Sequence, residues 1–270
     1  MRTLHFISGL PRSGSTLLAS ILRQNERFHA GMSSPLAAIY LGLEERLGAK
    51  NPYHLQLSDH QRIAVARGLF ANFYEHLDPA TVVFDTNRAW CAKLSGIAHL
   101  FPQAKVICCV RRLAWIIDSF ERLLRENPFE PSKVFNSGVG GTVYSRAEEL
   151  MRSSGIVGYA YSALKEAFFG PHASRLLLVN YESLARRPAE IMARVYEALG
   201  ERPFEHDFST VSYSAGEFDK SLGIRNLHTV CGRVEFVERQ TILPPDIFNK
   251  YIDTAFWSDP MRNPNYVCVI

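Results

Sequence analysis

The sequence lacks any CxxC pair, although it contains five cysteines. These are Cys91, Cys108, Cys109, Cys231 and Cys268. Structural zinc sites and disulfide frameworks use paired or regularly spaced cysteines, so neither is expected. Cys108 and Cys109 are adjacent in an apolar run, which is typical of buried, unreactive thiols. We therefore expect free cysteines and a reducing, cytoplasmic location.

Long apolar runs and a strong excess of one charge are also absent. No stretch approaches the roughly 20 apolar residues of a membrane span, and the apolar start of the chain is too short for a signal peptide. The formal net charge of +3 is too small for the phosphate-neutralising surface of a nucleic-acid-binding protein. Linkers, repeats and coiled-coil heptads are missing as well. The 270 residues are thus predicted to form one domain, 1–270, with no membrane segment and no nucleic-acid partner.

Apolar runs that suit strands alternate with helical patterns along the chain. Strands are predicted at 3–8, 81–84, 105–110 and 175–181. Helices are predicted after each strand, at 16–22, up to about 100, up to 125, and at Pro188–Leu199 with Gly200 as the C-cap. Segments 128–152 and 201–237 lack periodicity and are expected to be long loops. The alternation predicts an α/β, P-loop-type three-layer fold, in which a central parallel sheet is flanked by helices and ligands bind at the carboxyl ends of the strands.

A glycine loop joins the first predicted strand to the first predicted helix. It reads Gly9-Leu10-Pro11-Arg12-Ser13-Gly14-Ser15-Thr16. The glycine spacing and the final hydroxyl are those of a loop whose backbone N–H groups cradle a phosphate. Ser15 stands where a nucleoside triphosphatase has lysine, and the basic residue is instead Arg12. This pattern favours a sulfate or phosphate bound without a metal ion.

Residues 6–18 resemble the 5′-phosphosulfate-binding loop of the sulfotransferase family, in the form found in tyrosylprotein and many bacterial sulfotransferases. The resemblance implies that the donor is 3′-phosphoadenosine 5′-phosphosulfate (PAPS) and that no metal is needed. It also implies donor contacts along the loop, from Pro11, Arg12, Ser13, Gly14, Ser15 and Thr16. Arg12 is then expected to be catalytic, because it is suited to stabilise charge on the leaving phosphate.

Three further segments resemble donor-binding parts of the family. Arg111 and Ser119 match the pair that grips the 3′-phosphate, although the family's second arginine has no counterpart in this sequence. Tyr181 matches a tyrosine near the adenosine, and a buried core tyrosine is the alternative. Arg239 matches a segment that closes over the donor, and a solvated arginine is the alternative.

The general base of the family has no counterpart in its usual positions. Asp85 is the leading candidate, because it ends the second predicted strand at the edge of the sheet where ligands bind. Its alternatives are to cap the following helix or to pair with Arg88. His54, His99 and Glu44 are further candidates for the base.

The sequence thus predicts a sulfotransferase that moves a sulfuryl group from PAPS to a hydroxyl or amine. The acceptor is expected to be a small molecule, a carbohydrate or a peptide. Two alternatives remain open at this point: a P-loop kinase of a nucleotide or small molecule, and a non-catalytic nucleotide-binding protein of the same fold.

Overall fold

A computed structural model describes residues 2–127 and 141–270. Eight strands are found in these two ranges. They are β1 (Leu4–Gly9), β2 (Phe28–Ala30), β3 (Val82–Thr86), β4 (Val106–Val110), β5 (Leu176–Asn180), β6 (Val211–Tyr213), β7 (Val230–Gly232) and β8 (Cys268–Val269). The four predicted strands correspond to β1, β3, β4 and β5, whereas the sequence analysis missed the others.

The main sheet has six strands in the order β2-β3-β1-β4-β5-β8. Every neighbouring pair is parallel, and β1 lies in the middle with Phe6 opposite Asp85 of β3 and Val106 of β4. All carboxyl ends therefore meet at one edge. Strands β6 and β7 form a separate antiparallel pair. The predicted α/β fold with a central parallel sheet is confirmed.

Alternate residues of each strand pack into two apolar clusters on opposite faces of the sheet. One cluster contains Phe6, Val83 and Cys108, and the other contains Ile7, Phe84 and Cys109. Both faces are apolar because each is covered by helices, which is the usual condition of a parallel sheet.

Eleven α-helices occur in the described ranges. They are α1 (Ser15–Leu22), α2 (Leu36–Leu47), α3 (Asp59–Phe73), α4 (Leu94–Leu100), α5 (Leu113–Glu126), α6 (Val143–Met151), α7 (Ile156–Phe169), α8 (Tyr181–Arg186), α9 (Pro188–Leu199), α10 (Gly216–Ser221) and α11 (Pro245–Ile252). Helices α1, α8 and α9 pack on one face, and α2 to α7 with α11 pack on the other. The predicted three layers follow from this arrangement.

Some boundaries and both long loops differ from the sequence-based expectation. The helix predicted to end near Leu100 is a 3-10 turn, Arg88–Lys93, followed by α4. Of the expected loop 128–152, residues 128–140 lie outside the described ranges and the remainder includes α6. The expected loop 201–237 contains β6, α10 and β7. Short elements without a clear period escape sequence-based prediction. No helix in the described ranges has the length and apolar character needed to cross a bilayer.

Candidate active site

The carboxyl edge of the sheet opens into a cleft of about 1310 Å³. Strand β1 leads into the glycine loop, β4 ends just before Arg111, and β5 ends just before Tyr181. Segments 32–35, 86–89 and 227–231 also line the cleft, together with residues 233–235. Ligands of parallel sheets bind at this edge, and the cleft is wide enough for a nucleotide together with a second substrate.

Contacts with the end of β4 hold the glycine loop in place. Gly9 has a φ of +98°, and a Cβ at this position would lie 2.3 Å from the carbonyl oxygen of Cys109, so only glycine fits. The N–H of Leu10 donates to the same oxygen at 2.9 Å. The Ser13 hydroxyl also donates to it, at 2.8 Å, and Ser13 is fully buried. The Ser13 side chain, predicted to contact the donor, therefore holds the loop in place, and only its backbone can face a ligand.

Helix α1 directs its amino end into the cleft. Its first intrahelical hydrogen bond runs from the N–H of Leu18 to the carbonyl of Gly14, and no side chain caps the helix. The N–H groups that precede Leu18, including those of Ser15 and Thr16, are therefore free of helical partners. Both residues line the cleft with Pro11 and Gly14. Such an end attracts anions, because the helix dipole is positive there.

Arg12 extends from the loop across the cleft. Its Nε donates to the Ser119 hydroxyl at 3.1 Å, and its Nη1 donates to the carbonyl of Leu227. Burial and then the neighbouring Arg111 lower the pKa of Arg12 from its ordinary value to about 10. Arg12 thus stays cationic at neutral pH. Two guanidinium groups that repel each other at a cleft favour the binding of an anion between them.

Arg111 and Tyr181 form a second group beside the loop. The Arg111 guanidinium lies 4.3 Å from the centroid of the Tyr181 ring, within the range of a cation–π contact. The same ring lies against Gly14, where an added Cβ would come within 2.9 Å of Tyr181 Cδ2. Tyr181 is partly exposed and lines the cleft, so the alternative of a buried core tyrosine is wrong. Burial lowers the pKa of Arg111.

One polar atom of this group lacks a partner. Nε of Arg111 is buried and has no hydrogen-bond acceptor within the described ranges. Buried polar atoms are nearly always satisfied, so an orphan at a cleft indicates a missing ligand. An anionic oxygen would satisfy it, and this requirement fits a phosphate held by Arg111 and Ser119, which both line the cleft.

Arg239 lies next to this group without lining the cleft. Its Nη2 is 2.9 Å from Oδ2 of Asp118, a fully buried carboxylate of α5. The positive charge of Arg239 nevertheless contributes to lowering the pKa of both Arg12 and Arg111. Arg239 is therefore paired, and the structure brings it close to the predicted donor contacts rather than among them.

The sequence matches one known protein family. The profile described as "Sulfotransferase family" matches residues 5–206, which is well over half of the chain and includes the glycine loop, Arg111, Ser119 and Tyr181. The chain belongs to the sulfotransferase family. The reaction of this family is the transfer of a sulfuryl group, and no comparison favours the kinase alternative.

Solved structures support the same fold. The sulfotransferase domain from the curacin biosynthetic pathway is 17% identical, with a TM-score of 0.54, and the match covers 93% of this chain and 90% of that one. A sulfotransferase from Alicyclobacillus acidocaldarius is 14% identical, with a TM-score of 0.53, and the match covers 82% and 90%. Curated protein sequences give no significant match.

The geometry of this sulfotransferase contradicts Asp85 as the general base. Asp85 is 1% exposed and does not line the cleft. Its carboxylate accepts hydrogen bonds from the Ser34 hydroxyl at 2.6 Å, from Trp90 Nε1 at 2.7 Å and from the Tyr74 hydroxyl. Burial raises its pKa, and these three donors oppose the rise. The carboxylate is thus committed to the interior and cannot reach an acceptor.

The alternatives for Asp85 and for the base are not supported either. Asn87, rather than Asp85, caps the 3-10 turn by accepting from the N–H of Ala89 at 3.0 Å. No ion pair joins Asp85 to Arg88 in the described ranges. Neither His54 nor His99 lines the cleft as described, and Glu44 is ion-paired with Lys93 outside it.

Sequence analysis missed a histidine at the cleft. His228 lines the wall beside Leu227, and its Nδ1 lies 2.6 Å from Oδ1 of Asp219, which is fully buried. The two residues are nine positions apart in a segment without periodicity, so no spacing rule connects them. No group of three or more histidine, cysteine or acidic side chains suited to a metal occurs in residues 2–127 and 141–270.

Proposed function

We propose that this sulfotransferase uses PAPS as its donor and transfers the sulfuryl group to a hydroxyl or amine. The observation that carries the proposal is the convergence of Arg12, Arg111 and Ser119 on one cleft, beside the uncapped amino end of α1. PAPS has two anionic ends, the 5′-phosphosulfate and the 3′-phosphate. Each end needs its own cation and hydrogen-bond donors, and the cleft offers two such sets.

The first set suits the 5′-phosphosulfate. It consists of the N–H groups at the start of α1, the hydroxyls of Ser15 and Thr16, and the Arg12 guanidinium. The second set suits the 3′-phosphate, because Nε of Arg111 lacks an acceptor and the Ser119 hydroxyl, which accepts from Arg12, still has its own proton to donate. Tyr181 supports both sets, since its ring contacts Gly14 of the loop and the guanidinium of Arg111. We assign Tyr181 to the adenosine side of the donor for this reason.

Sulfuryl transfer is an in-line displacement at sulfur. The acceptor oxygen or nitrogen bonds to sulfur as the bond from sulfur to the 5′-phosphate oxygen breaks. Arg12 stabilises the charge that builds on this leaving oxygen, and it does so without reorganising, because Ser119 and Leu227 already hold its guanidinium. A metal ion is not required for this step, since the arginine and the α1 N–H groups supply positive charge.

The acceptor is proposed to be a small molecule, a carbohydrate or a peptide that enters from the wall formed by segments 32–35 and 86–89. We propose no nucleic-acid partner, in line with the small net charge. One domain, 1–270, is proposed because β8, near the end of the sequence, pairs with β5 of the main sheet. A cytoplasmic location is proposed because Cys91 and Cys108 have free thiols with sulfur atoms 3.4 Å apart.

Calorimetric titration with 3′-phosphoadenosine 5′-phosphate, beside ADP and ATP with and without magnesium, tests the donor. We expect metal-independent binding that prefers the 3′-phosphorylated nucleotide. Arg111→Gln should weaken this binding by about 10- to 150-fold, the effect of losing a charge-assisted contact. Arg112→Gln is the matched control, because Arg112 is the exposed neighbour that does not line the cleft. Preference for ATP with magnesium, or equal losses in the two variants, would reject the proposal.

A further inference from the structure

Helix α10 and the turn that follows it fold around a single carboxylate. Asp219 is fully buried, and both of its oxygens accept from the same residue. Oδ2 accepts from the backbone N–H of His228 at 2.8 Å, and Oδ1 lies 2.6 Å from Nδ1 of the His228 ring. The backbone and the ring of His228 are thereby fixed together, which gives the side chain one orientation.

The carboxylate also determines the tautomer of the ring. An oxygen of Asp219 next to Nδ1 requires a proton on that nitrogen, so Nε2 of the neutral imidazole carries the lone pair. The His228 side chain is 21% exposed and lines the cleft, and the Phe218 ring packs against it with centroids 5.6 Å apart. The wall of the cleft therefore carries an oriented imidazole whose Nε2 is available to accept a proton.

His228 also lies close to Arg12. The carbonyl of Leu227, the preceding residue, accepts from Nη1 of Arg12. The Asp219 charge raises the pKa of Arg12 against the effect of burial, so the carboxylate is near the guanidinium as well. A short segment thus holds both the imidazole and the arginine assigned to the leaving oxygen.

Other groups in the described part of the cleft are less suited to take a proton. Glu149 forms an ion pair with Arg152 at 3.0 Å. Glu235 is exposed, and no hydrogen bond to its carboxylate is found in the described ranges. Asp85 faces the interior. His228 is the cleft residue that combines an ordered ring with a carboxylate partner.

We propose that His228 is the general base of this sulfotransferase and that Asp219 is its positioning residue, an assignment that rests on the proposed function. Nε2 of His228 takes the proton of the acceptor hydroxyl or amine as that atom bonds to sulfur. The bond between sulfur and the 5′-phosphate oxygen breaks, and its electron pair stays on that oxygen beside Arg12. The products are the sulfated acceptor, 3′-phosphoadenosine 5′-phosphate and an imidazolium ion that later returns its proton to water.

The test compares acceptors that differ in their need for a base. PAPS consumption is measured with water, phenol or 4-nitrophenol as the acceptor. Of these, 4-nitrophenol is largely ionised above neutral pH, so its oxygen reacts without the help of a base. We expect His228→Ala to slow the reaction of phenol by about 10²- to 10⁴-fold, the usual contribution of general-base catalysis, and that of 4-nitrophenol far less. Added imidazole should restore part of the rate with phenol. Asp219→Asn should give the same acceptor pattern without rescue by imidazole.

Two controls separate this proposal from the donor assignment. Titration with 3′-phosphoadenosine 5′-phosphate should give the same affinity for the wild type and for His228→Ala, and His60→Ala removes an exposed histidine of α3 away from the cleft. Failure of the wild type to bind this nucleotide would reject the donor assignment itself. Normal binding combined with equal losses for all acceptors, or with no loss, would overturn the role of His228. If neither phenol nor 4-nitrophenol reacts, the hydrolysis of PAPS by water is the test. A hydrolysis rate in His228→Ala equal to that of the wild type would also overturn the role of His228.

Discussion

The Asp85 carboxylate shapes the cleft through the residues that it binds. Ser34, which donates to Asp85, lines the cleft, and its hydroxyl also accepts from the N–H of Leu36 at the start of α2. Trp90 and Tyr74 bring the 3-10 turn and the end of α3 to the same carboxylate. A single buried group thereby joins three segments to β3, which is a structural role for a residue that resembled a catalytic one.

Replacement of Asp85 should affect stability more than chemistry. Asp85→Ala leaves two buried donors, Trp90 and Tyr74, unsatisfied, and each such group is destabilising by about 1 to 3 kcal/mol, so we expect a loss of about 2 kcal/mol or more in the free energy of unfolding. Asp85→Asn should lose less, since the amide oxygen still accepts. Denaturant titration measures both, with the exposed Asp253→Ala as control. A stable Asp85→Ala protein that binds donor but transfers nothing would restore the catalytic interpretation.

The alternation of side chains along β3 explains why the prediction of Asp85 as the general base was wrong. Side chains alternate between the two faces of a sheet along each strand, so Asp85 points to the same face as Val83. It also lies opposite Phe6 of β1, whose face of the sheet is covered by α2 and α3. The position at the end of a strand was predicted correctly, whereas the direction of the side chain depends on register. The meeting of Arg12, Arg111 and Ser119 in one cleft could be expected from motifs with fixed spacing, and their contacts with the donor stay predictions. The contact between Asp219 and His228 depends on an irregular turn, which has no such spacing.

At the scale of elements, Asp118 connects α5 to the segment 239–242. This carboxylate is fully buried and accepts from four groups. Oδ2 binds Arg122 and Arg239, each at 2.9 Å, while Oδ1 accepts from the Thr241 hydroxyl at 3.0 Å and the N–H of Ile242 at 2.8 Å. Helix α5 also carries Ser119, so the clamp fixes this segment next to the predicted 3′-phosphate site.

Loss of the Asp118 clamp should loosen segment 239–242. Asp118→Ala removes the acceptor of two arginines, and we expect a loss of about 3 kcal/mol, at the low end for a buried pair because both arginines are about one third exposed. Hydrogen exchange of the Ile242 amide should become at least about tenfold faster, since its protection depends on Asp118. Asp253→Ala again serves as the control. Unchanged exchange at Ile242 would show that packing alone holds the segment.

Elements were predictable where they are long or strongly patterned. Strands β1, β3, β4 and β5 each contain an apolar run. Helix α9 was predicted with its observed bounds and with Gly200 as its cap, which is in the left-handed conformation. Strands β2 and β8 contain three and two residues, too few for an alternating pattern. Their pairing is set by tertiary contacts, to β3 and β5 respectively, which a local pattern does not contain.

At the scale of the whole molecule, buried histidines make the stability of the fold depend on pH. Burial lowers the pKa of His5 from 6.5 to about 4, and it also lowers the pKa of His206. Nδ1 of His5 accepts from the N–H of Lys105 at 3.1 Å, and Nε2 is buried without a partner in the described ranges. Because Nδ1 accepts, the neutral ring already carries its proton on Nε2, so a second proton would have to go to Nδ1, where it would oppose the Lys105 N–H and leave a buried charge in the central strand β1.

The free energy of unfolding should fall as the pH drops from 6.5 to about 4. In this window the unfolded chain binds a proton at His5 and the folded chain does not, so stability rises with pH. The His5 contribution to the free energy of unfolding is complete above pH 6.5 and reaches about 3 kcal/mol.

His5→Asn keeps an acceptor for the Lys105 N–H but does not titrate, so it should reduce the pH dependence of the free energy of unfolding by up to one proton. Denaturant titrations at several pH values measure this slope, with His60→Asn as the matched control on α3. Asp85 contributes in the opposite direction, because its raised pKa makes stability decline with rising pH. This contribution is present in every variant, so it cancels when the slope of each variant is compared with that of the wild type. Equal slopes in wild type and His5→Asn would mean that water reaches His5 in the folded protein.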